Sequence, residues 1–385
     1  MKKVLIFGST GSVGKSALEV LGGDRKQFRV LGLCANSNTE ILRQQIKEFK
    51  PLYVCVKDEA AAKKISKTLG KGIKLFTGDK GLEEFAQISS DISFMAISGI
   101  SCLKPLLINI RYARRIALAN KESLVTAGFL IFSAAEKFNT EILPVDSEIN
   151  ALFQLLAKRK AKGRGDDLRK VYLTASGGAL LDYNKKDLNK VGVKEVLAHP
   201  TWKMGRRITV DCATLVNKAF EAIETHYFFD LSYEKIDIVL HKESIAHALV
   251  ECKDNTLFAC LYPPDMKMPI SFALYHPKRA ESSCEVNFKK GFSFSFSQIN
   301  YSKYPLLSLV LKAAKRGDNS LVVLNACDEV AIDYFLKGKI NFTDIDKAMK
   351  KLFKVYPQHK IKTIDDVFHW DDWARAKTKE YLDKL

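Results

Sequence analysis

Several groups of residues have the types and spacing to do chemistry. In Pro144-Val145-Asp146-Ser147-Glu148 two carboxylates stand two positions apart. In extended chain such residues point to one side, and paired hard oxygen ligands suit Mg²⁺ or Mn²⁺. The same letters also fit a helix start with Asp146 or Ser147 as N-cap. In Val216-Asn217-Lys218-Ala219-Phe220-Glu221, a helix would put Asn217 and Glu221 on one face with Lys218 beside them. Asn217 and Lys218 suit a phosphate, and Glu221 suits a third carboxylate on the metal. An ordinary helix surface would read the same way. Asn120-Lys121-Glu122-Ser123 follows an expected strand, at the kind of strand-end loop where parallel sheets bind ligands. A solvated Lys121–Glu122 pair is the alternative.

Further segments point to anions. Around Trp202 stand His199, Lys203, Met204 and Arg206, punctuated by Pro200 and Gly205. An aromatic side chain among basic groups can close over an anionic substrate as a lid. Thr174-Ala175-Ser176-Gly177-Gly178 offers small residues, exposed N–H groups and a hydroxyl after a strand, either a phosphate nest or a glycine turn. The segment GSTGSVGKS, from Gly8 to Ser16, has the spacing Gly8-x-x-Gly11-x-x-Gly14. It lies between an expected strand, Val4–Phe7, and a helix opening around Val13, and reads as a variant dinucleotide turn. A P-loop would need glycine where Ser9 stands. An NAD enzyme places an acid about 20 residues past this turn to hold the ribose hydroxyl. Here Leu33-Cys34-Ala35-Asn36-Ser37-Asn38 has none before Glu40. Asn36, Ser37 and Asn38 could donate to a 2′-phosphate, which favours NADP, or form only a polar turn.

The elements that must position these residues alternate. Strands are expected at Val4–Phe7, Val30–Cys34, Leu52–Val56, Ile73–Phe76, Phe94–Ile97 and Ile116–Leu118, with helices such as Thr39–Phe49 and Glu59–Leu69 between them. That pattern predicts an α/β fold opening on a Rossmann-like parallel sheet. Leu249–Tyr262 reads as paired strands turning at Asp254-Asn255, and Phe292–Phe296 alternates like an edge strand. From Leu306 the chain reads mostly helical. The expected domains are 1–145 for the nucleotide, 146–280 for catalysis and dimerisation, a linker at 281–305 and a helical bundle at 306–385.

With 385 residues, a net charge of +17 and nearly half the chain apolar, a large core is affordable and anionic ligands are favoured. No apolar run reaches the ~20 residues of a membrane helix. The apolar run after Met1-Lys2-Lys3 is too short for a signal peptide. Eight cysteines form no C-x-x-C pair, so neither a zinc site nor a disulfide framework is expected and a reducing cytoplasm fits. The densest basic run, Lys158–Gly165, lacks interleaved aromatics and reads as a solvated surface loop rather than a nucleic-acid module. Together, a nucleotide turn, three carboxylates and several phosphate donors describe a metal-assisted NADP reductase of a phosphorylated oxo compound.

GSTGSVG, ANKESLV, PVDSE, TASGG, HPTWKMGRR, VNKAFE, PPDMKMPI and LNACDEVAIDYFL stand in the order and rough spacing of one family. Over essentially its whole length the chain resembles the 1-deoxy-D-xylulose 5-phosphate reductoisomerases. The resemblance implies an N-terminal NADPH domain, a central α+β catalytic domain that forms a homodimer, and a C-terminal helical bundle. It implies NADPH- and Mg²⁺- or Mn²⁺-dependent rearrangement and reduction of the sugar phosphate to 2-C-methyl-D-erythritol 4-phosphate, an isoprenoid precursor. Carried over by match, Asp146, Glu148 and Glu221 ligate the metal. Ser176, Asn217 and Lys218 grip the phosphate, with His199 near it and Cys212 in a position usually held by serine. Lys121 lies near metal and substrate, Ser147 touches substrate and Trp202 covers it. Met204 and Gly205 lie by the nicotinamide. Gly8, Thr10, Gly11, Ser12 and Val13 take the pyrophosphate, Ala35 to Asn38 the adenosine end, and Asn120 and Glu122 line the cofactor site. The chain departs from the family where Ile149 replaces a histidine, Cys212 a serine and Ala219 a glycine. Its Ser98–Cys102 loop also has fewer glycines than usual. The remaining alternatives are a metal-free NADP oxidoreductase of a related phosphate or semialdehyde, and a homologue that binds NADPH without turnover.

Overall fold

A computed structural model describes residues 1–160, 167–282, 284–287, 289, 291 and 293–385. Its contacts divide into two units. One comprises Met1–Ser123, Phe129–Asn150 and Met266–Ser283, and the other Leu124–Gly128, Ala151–Asp265 and Cys284–Leu385.

The first unit alternates strand and helix: β1 (Lys2–Phe7), α1 (Ser12–Gly23), β2 (Phe28–Ala35), α2 (Thr39–Phe49), β3 (Tyr53–Val56), α3 (Glu59–Ser66), β4 (Lys74–Thr77), α4 (Gly78–Ala86), β5 (Ser90–Met95), α5 (Leu103–Asn109), β6 (Ala113–Leu118), most of α6 (Lys121–Phe138), β7 (Glu141–Pro144) and the first turn of α7 (Ser147–Lys160). The sheet runs β4-β3-β2-β1-β5-β6-β7, and every described pairing in it is parallel. Val4, Leu5, Ile6 and Phe7 are fully buried, as continuous apolar strands covered on both faces must be. Asn38, Asp58 and Asn120 cap α2, α3 and α6 by accepting from backbone N–H groups of the first turn. The expected parallel sheet is thus present. The strand expected at Phe94–Ile97 ends at Met95, because the chain turns there toward Gly99, whose φ is 72°.

The second unit is built around β8 (Leu168–Ala175), α8 (Val193–Val196), α9 (Arg206–Thr214), α10 (Val216–Phe229), β9 (Ile236–Leu240), β10 (Ala246–Cys252) and β11 (Leu257–Leu261). The next helix, α11 (Lys267–Tyr275), packs on α1 in the first unit. β12 (Ser297–Gln298) and the helices α12 (Pro305–Ala314), α13 (Ser320–Leu336), α14 (Phe342–Val355) and α15 (Ile364–Leu382) complete the second unit. Its sheet is mixed, in the order β11-β10-β8-β9-β12, with β8 parallel to β9 and antiparallel to β10. The hairpin expected over Leu249–Tyr262 is β10–β11, turning at Asn255 with φ 66°. The strand expected at Phe292–Phe296 is displaced. Phe292 lies outside the described residues, 293–296 carry no regular structure, and only Ser297 and Gln298 pair, with Leu240 and Val239. α13 is buried on most of its surface between α14 and α15, giving the C-terminal region its helical core. α7 continues to Lys160, so the first residues of the basic run are helical rather than loop, and 161–166 lie outside the described residues. Among the described residues no helix is long and apolar enough to cross a membrane.

Candidate active site

In the first unit, the order of the sheet reverses at β1 and β5, and crevices at such switch points take ligands. The turn after β1 is shaped to leave room there. Gly8 has φ 84°, and a Cβ on it would collide with the Ala96 carbonyl; one on Gly14 would strike the Gly8 carbonyl. Gly8 and Ser9 donate backbone N–H bonds to the Cys34 carbonyl at 2.9 and 2.8 Å, and Gln45 Nε2 donates to the Ser9 carbonyl at 2.8 Å. Thr10, Gly11, Ser12 and Val13 follow at the start of α1. The Gly11 cap offers no side-chain acceptor, and the first turn has no acidic residue. First-turn N–H groups have no partner within a helix, so they are available to an anion. Ala35 ends β2; Asn36, Ser37 and Asn38 beyond it are exposed, with Asn38 Oδ1 engaged in capping α2.

At the ends of β5 and β6, Asn120 and Glu122 hold the neighbouring loop. Asn120 Nδ2 donates to the carbonyls of Ile97 and Gly99 at 2.9 and 3.0 Å, and Gly99 N donates to Glu122 Oε1 at 3.0 Å. Lys121 between them is buried, and its Nζ lies 2.5 Å from Asp146 Oδ2. This is an inter-element ion pair rather than the solvated Lys121–Glu122 pair. β6 and β7 are adjacent parallel strands, so they deliver Lys121 and Asp146 to one edge of the sheet. Asp146 and Glu148 present carboxylate oxygens within 4.8 Å of each other. Of the two readings of these letters, extended chain and helix start, the second holds. The Asp146 carbonyl accepts from Asn150 N at 2.8 Å, so Asp146 is the N-cap of α7 and Glu148 lies in its first turn. Ser147 Oγ donates to Glu148 Oε2 at 2.5 Å. Ile149 is buried in the core with no exposed surface.

In the second unit, β8 ends in Ser176-Gly177-Gly178. Gly177 and Gly178 have φ 83° and 68°, and a Cβ on Gly178 would come within 2.7 Å of the Cys212 carbonyl on α9. The turn and the helix carrying Cys212 are therefore in direct backbone contact. Ser176 Oγ lies 3.0 Å from His199 Nε2, while His199 Nδ1 accepts from the N–H groups of Thr201 and Trp202 at 3.2 and 3.0 Å. Two donors aimed at Nδ1 place the proton of the neutral ring on Nε2, which donates to Ser176. Burial holds the His199 imidazole below its usual range, keeping that tautomer uncharged. The chain from Ala198 to Gly205 is a loop between α8 and α9, with Trp202 and Met204 half-buried.

The loop is followed by two helices. Leu215 takes φ 59° and separates α9 from α10. On α10, Asn217, Lys218 and Glu221 are all buried, so this is not an ordinary helix surface. Asn217 Nδ2 donates to Glu221 Oε1 at 2.5 Å, and the Lys218 ammonium pairs with Glu221 Oε2. Sequence reasoning missed what supports the lid. Trp202 meets His247 edge-on with ring centroids 6.1 Å apart, and His247 stacks on Tyr262 at 3.8 Å. A buried histidine on a strand of otherwise apolar inward positions was the available signal. Chemically, the first unit offers an anion cradle and a lysine-bearing carboxylate pair. The second offers a hydroxyl, amide and ammonium group suited to a phosphate, beside a third buried carboxylate.

Models of this family cover most of the chain. A model for 1-deoxy-D-xylulose 5-phosphate reductoisomerase matches residues 4–128, one for its C-terminal domain matches 142–229, and one for the DXP reductoisomerase C-terminal domain matches 261–377. The 1-deoxy-D-xylulose 5-phosphate reductoisomerase of Thermoanaerobacter sp. (strain X514) is 40% identical over 395 residues, covering 99% of this chain and 100% of its own. The solved structure of 1-deoxy-D-xylulose 5-phosphate reductoisomerase from Zymomonas mobilis in complex with NADPH is 32% identical, with a TM-score of 0.91 over 100% of both chains. A DOX-P reductoisomerase solved with NADPH, fosmidomycin and magnesium is likewise 32% identical, with a TM-score of 0.92 over 100% of this chain and 98% of that one. On sequence and fold alike, the chain belongs to the 1-deoxy-D-xylulose 5-phosphate reductoisomerase family.

Proposed function

We propose that the chain is an NADPH- and divalent-metal-dependent oxidoreductase that rearranges and reduces 1-deoxy-D-xylulose 5-phosphate to 2-C-methyl-D-erythritol 4-phosphate, in isoprenoid precursor biosynthesis. The observation that carries this reading is the pair Asp146 and Glu148, with Lys121 at 2.5 Å from Asp146. It stands at the edge of the parallel sheet whose first turn is cut back to glycine for a pyrophosphate.

The residues fit both cofactors. Asp146, Glu148 and Glu221 form a donor set of carboxylate oxygens only, the ligand type for Mg²⁺ or Mn²⁺. The Gly8 and Gly14 positions leave no room for a side chain, and nothing acidic in the first turn of α1 opposes a pyrophosphate. When bound, the metal supplies Lewis-acid polarisation of the substrate carbonyl, and NADPH supplies hydride. In this reading Lys218 and Asn217 on α10, with Ser176 and Cys212, take the substrate phosphate. His199 donates through Nε2 and keeps Ser176 oriented. A phosphate held far from the reacting carbons supplies binding energy that positions them. Lys121 sits by the substrate oxygens, where an ammonium stabilises developing negative charge, and Ser147 contacts them. Trp202 covers the substrate and excludes water, while Met204 and Gly205 meet the nicotinamide. Thr10 to Val13 receive the pyrophosphate, Ala35 to Asn38 the adenosine end, and Asn120 and Glu122 keep the cofactor-side loop in place. Within the second unit, 151–265 would form the catalytic core and 306–385 the helical bundle. The working form would be a cytoplasmic homodimer.

The test follows NADPH absorbance with 1-deoxy-D-xylulose 5-phosphate, with Mg²⁺, with Mn²⁺ and with chelator. Oxidation that requires either ion supports the reading, whereas no oxidation with either ends it. Oxidation indifferent to chelator points instead to a metal-free oxidoreductase. Glu221→Gln keeps the side-chain volume and removes the charge. It should lower turnover by about a thousandfold or more and leave NADPH affinity within about twofold, since the nucleotide turn lies on other elements. Full turnover in that variant would remove Glu221 from the metal site.

A further inference from the structure

The loop Ala198–Gly205 ends where α9 begins, and α9 leads on through Cys212 and Leu215 to Asn217, Lys218 and Glu221. Whatever fixes the first turn of α9 therefore fixes lid and phosphate residues together. Gly205 at its N-cap contributes no side-chain bond. Arg207 holds that turn instead. Its Nη1 donates to Glu329 Oε1 at 2.8 Å and its Nη2 to Asn325 Oδ1 at 3.4 Å, both on α13. The other Glu329 oxygen is held by Arg375 of α15, whose Nε donates to Asp371 at 2.5 Å. Burial opposes ionisation of Glu329, but the two guanidinium groups outweigh it and hold the carboxyl below its usual range. Arg207 also lies 3.7 Å from Asp211 and 3.6 Å from Asp328. Asp328 has no exposed surface. Burial first, and then the charge of Asp211, push its carboxyl well up. Buried ion networks add little net stability compared with apolar packing of the same volume. A guanidinium bonded to fixed acceptors does define an orientation, which a point charge on a flexible stem does not.

We propose that Arg207 is a positioning residue for the reaction. Anchored to Glu329 and Asn325 of the C-terminal bundle, it sets the first turn of α9, and through it the pose of the Trp202 lid on one side and of Cys212, Asn217 and Lys218 on the other. The proposal rests on the reading of those residues given above. It assigns the C-terminal helices a task in catalysis although none of their side chains is placed at the substrate.

The test compares the full-length wild type with Arg207→Ala, Arg207→Lys and Glu329→Gln, each first checked for a cooperative melt. Arg207→Ala and Glu329→Gln should lose about tenfold or more in kcat/KM for 1-deoxy-D-xylulose 5-phosphate, through both a higher KM and a lower kcat. NADPH affinity, measured by titration without substrate, should stay within about twofold. Arg207→Lys keeps the charge but not the fork, so it should recover part of the loss. Folded variants with kcat/KM within about twofold of wild type would overturn the proposal. So would an equal loss of NADPH affinity, which marks general damage. Where Arg207→Ala fails to fold, Glu329→Gln and Arg207→Lys carry the comparison. If the wild type itself leaves the sugar phosphate unchanged, the functional reading has failed and amide hydrogen exchange decides the positioning. Faster exchange across 198–209 in the variants supports it, and unchanged exchange there sinks it.

Discussion

Two of the carboxylates assigned to the metal have a buried lysine against them: Lys121 beside the partly exposed Asp146 and Lys218 beside the buried Glu221. Removing one member of such a buried pair leaves the other uncompensated, at a cost of about 3–5 kcal/mol. Neutralising Lys121 should therefore harm the fold locally as well as the chemistry. His199 works by the opposite logic, since it is useful while uncharged. Its Nδ1 accepts two backbone N–H groups that hold the start of the lid, and a proton there would face two donors. Burial lowers the folded-state value, so the neutral form's contribution is complete above the ordinary imidazole value of about 6.5 and is lost as pH falls through the lower folded value. kcat/KM for 1-deoxy-D-xylulose 5-phosphate should then show an acid limb centred below about 6.5. His199→Gln should lower kcat/KM by about tenfold or more and displace that limb. A limb identical in wild type and variant would assign it to another group. The sequence pointed to His199 and Trp202, but not to what they rest on. The acceptor role of Nδ1 follows from a turn two residues long, and the ring contacts Trp202–His247–Tyr262 join a loop to β10 and to the residue after β11, which only folding brings near.

At the scale of elements, the turn after β8 and the C-terminal part of α9 form one piece. Gly178 has φ 68° with backbone of Cys212 and Ala213 where its Cβ would be. Gly178→Ala therefore combines left-handed strain of about 1–3 kcal/mol with a clash that must push the turn away from α9. The expected outcome is a KM for the sugar phosphate raised about tenfold or more with NADPH affinity nearly unchanged, read from steady-state kinetics beside a cofactor titration. An unchanged KM would detach this turn from phosphate binding. Legibility at this scale followed the physics of the signal. Strand β1 and the turn between it and α1 were readable because a continuous apolar run stops at Gly8. β7 was not, since Glu141-Ile142-Leu143-Pro144 is too short to show a period. The geometry of Asp146 and Glu148 stayed open between extended chain and a helix start, because alternation and an N-cap give the same letters over three residues; the helix start is the one found. The break at Leu215 has no glycine or proline to announce it. A buried leucine there takes φ 59°, held by tertiary packing rather than local preference.

For the molecule as a whole, the open question of chemistry is what covers β11. It is the edge of the mixed sheet, paired only with β10 among the described strands. Leu257, Phe258 and Leu261 on it are 57%, 45% and 39% exposed. Edge strands in proteins that stay monomeric are normally short, charged or covered, because an unpaired ladder flanked by apolar side chains recruits another strand. β11 has no charged residue from Leu257 to Leu261, which fits a face buried against a second copy in the proposed homodimer. Sedimentation at micromolar concentration should then give a dimer, with a melting temperature that rises with protein concentration. Replacing Leu257 and Leu261 with lysine adds charge along the edge and should yield monomer of unchanged secondary structure. A wild-type protein that sediments as monomer, or a double variant that still dimerises, would place the partner elsewhere or remove it. β11 pairs with β10, the strand that carries His247. Activity lost with the dimer would be transmitted through β10, where His247 meets Trp202 edge-on, so the expected loss is in kcat rather than in NADPH affinity.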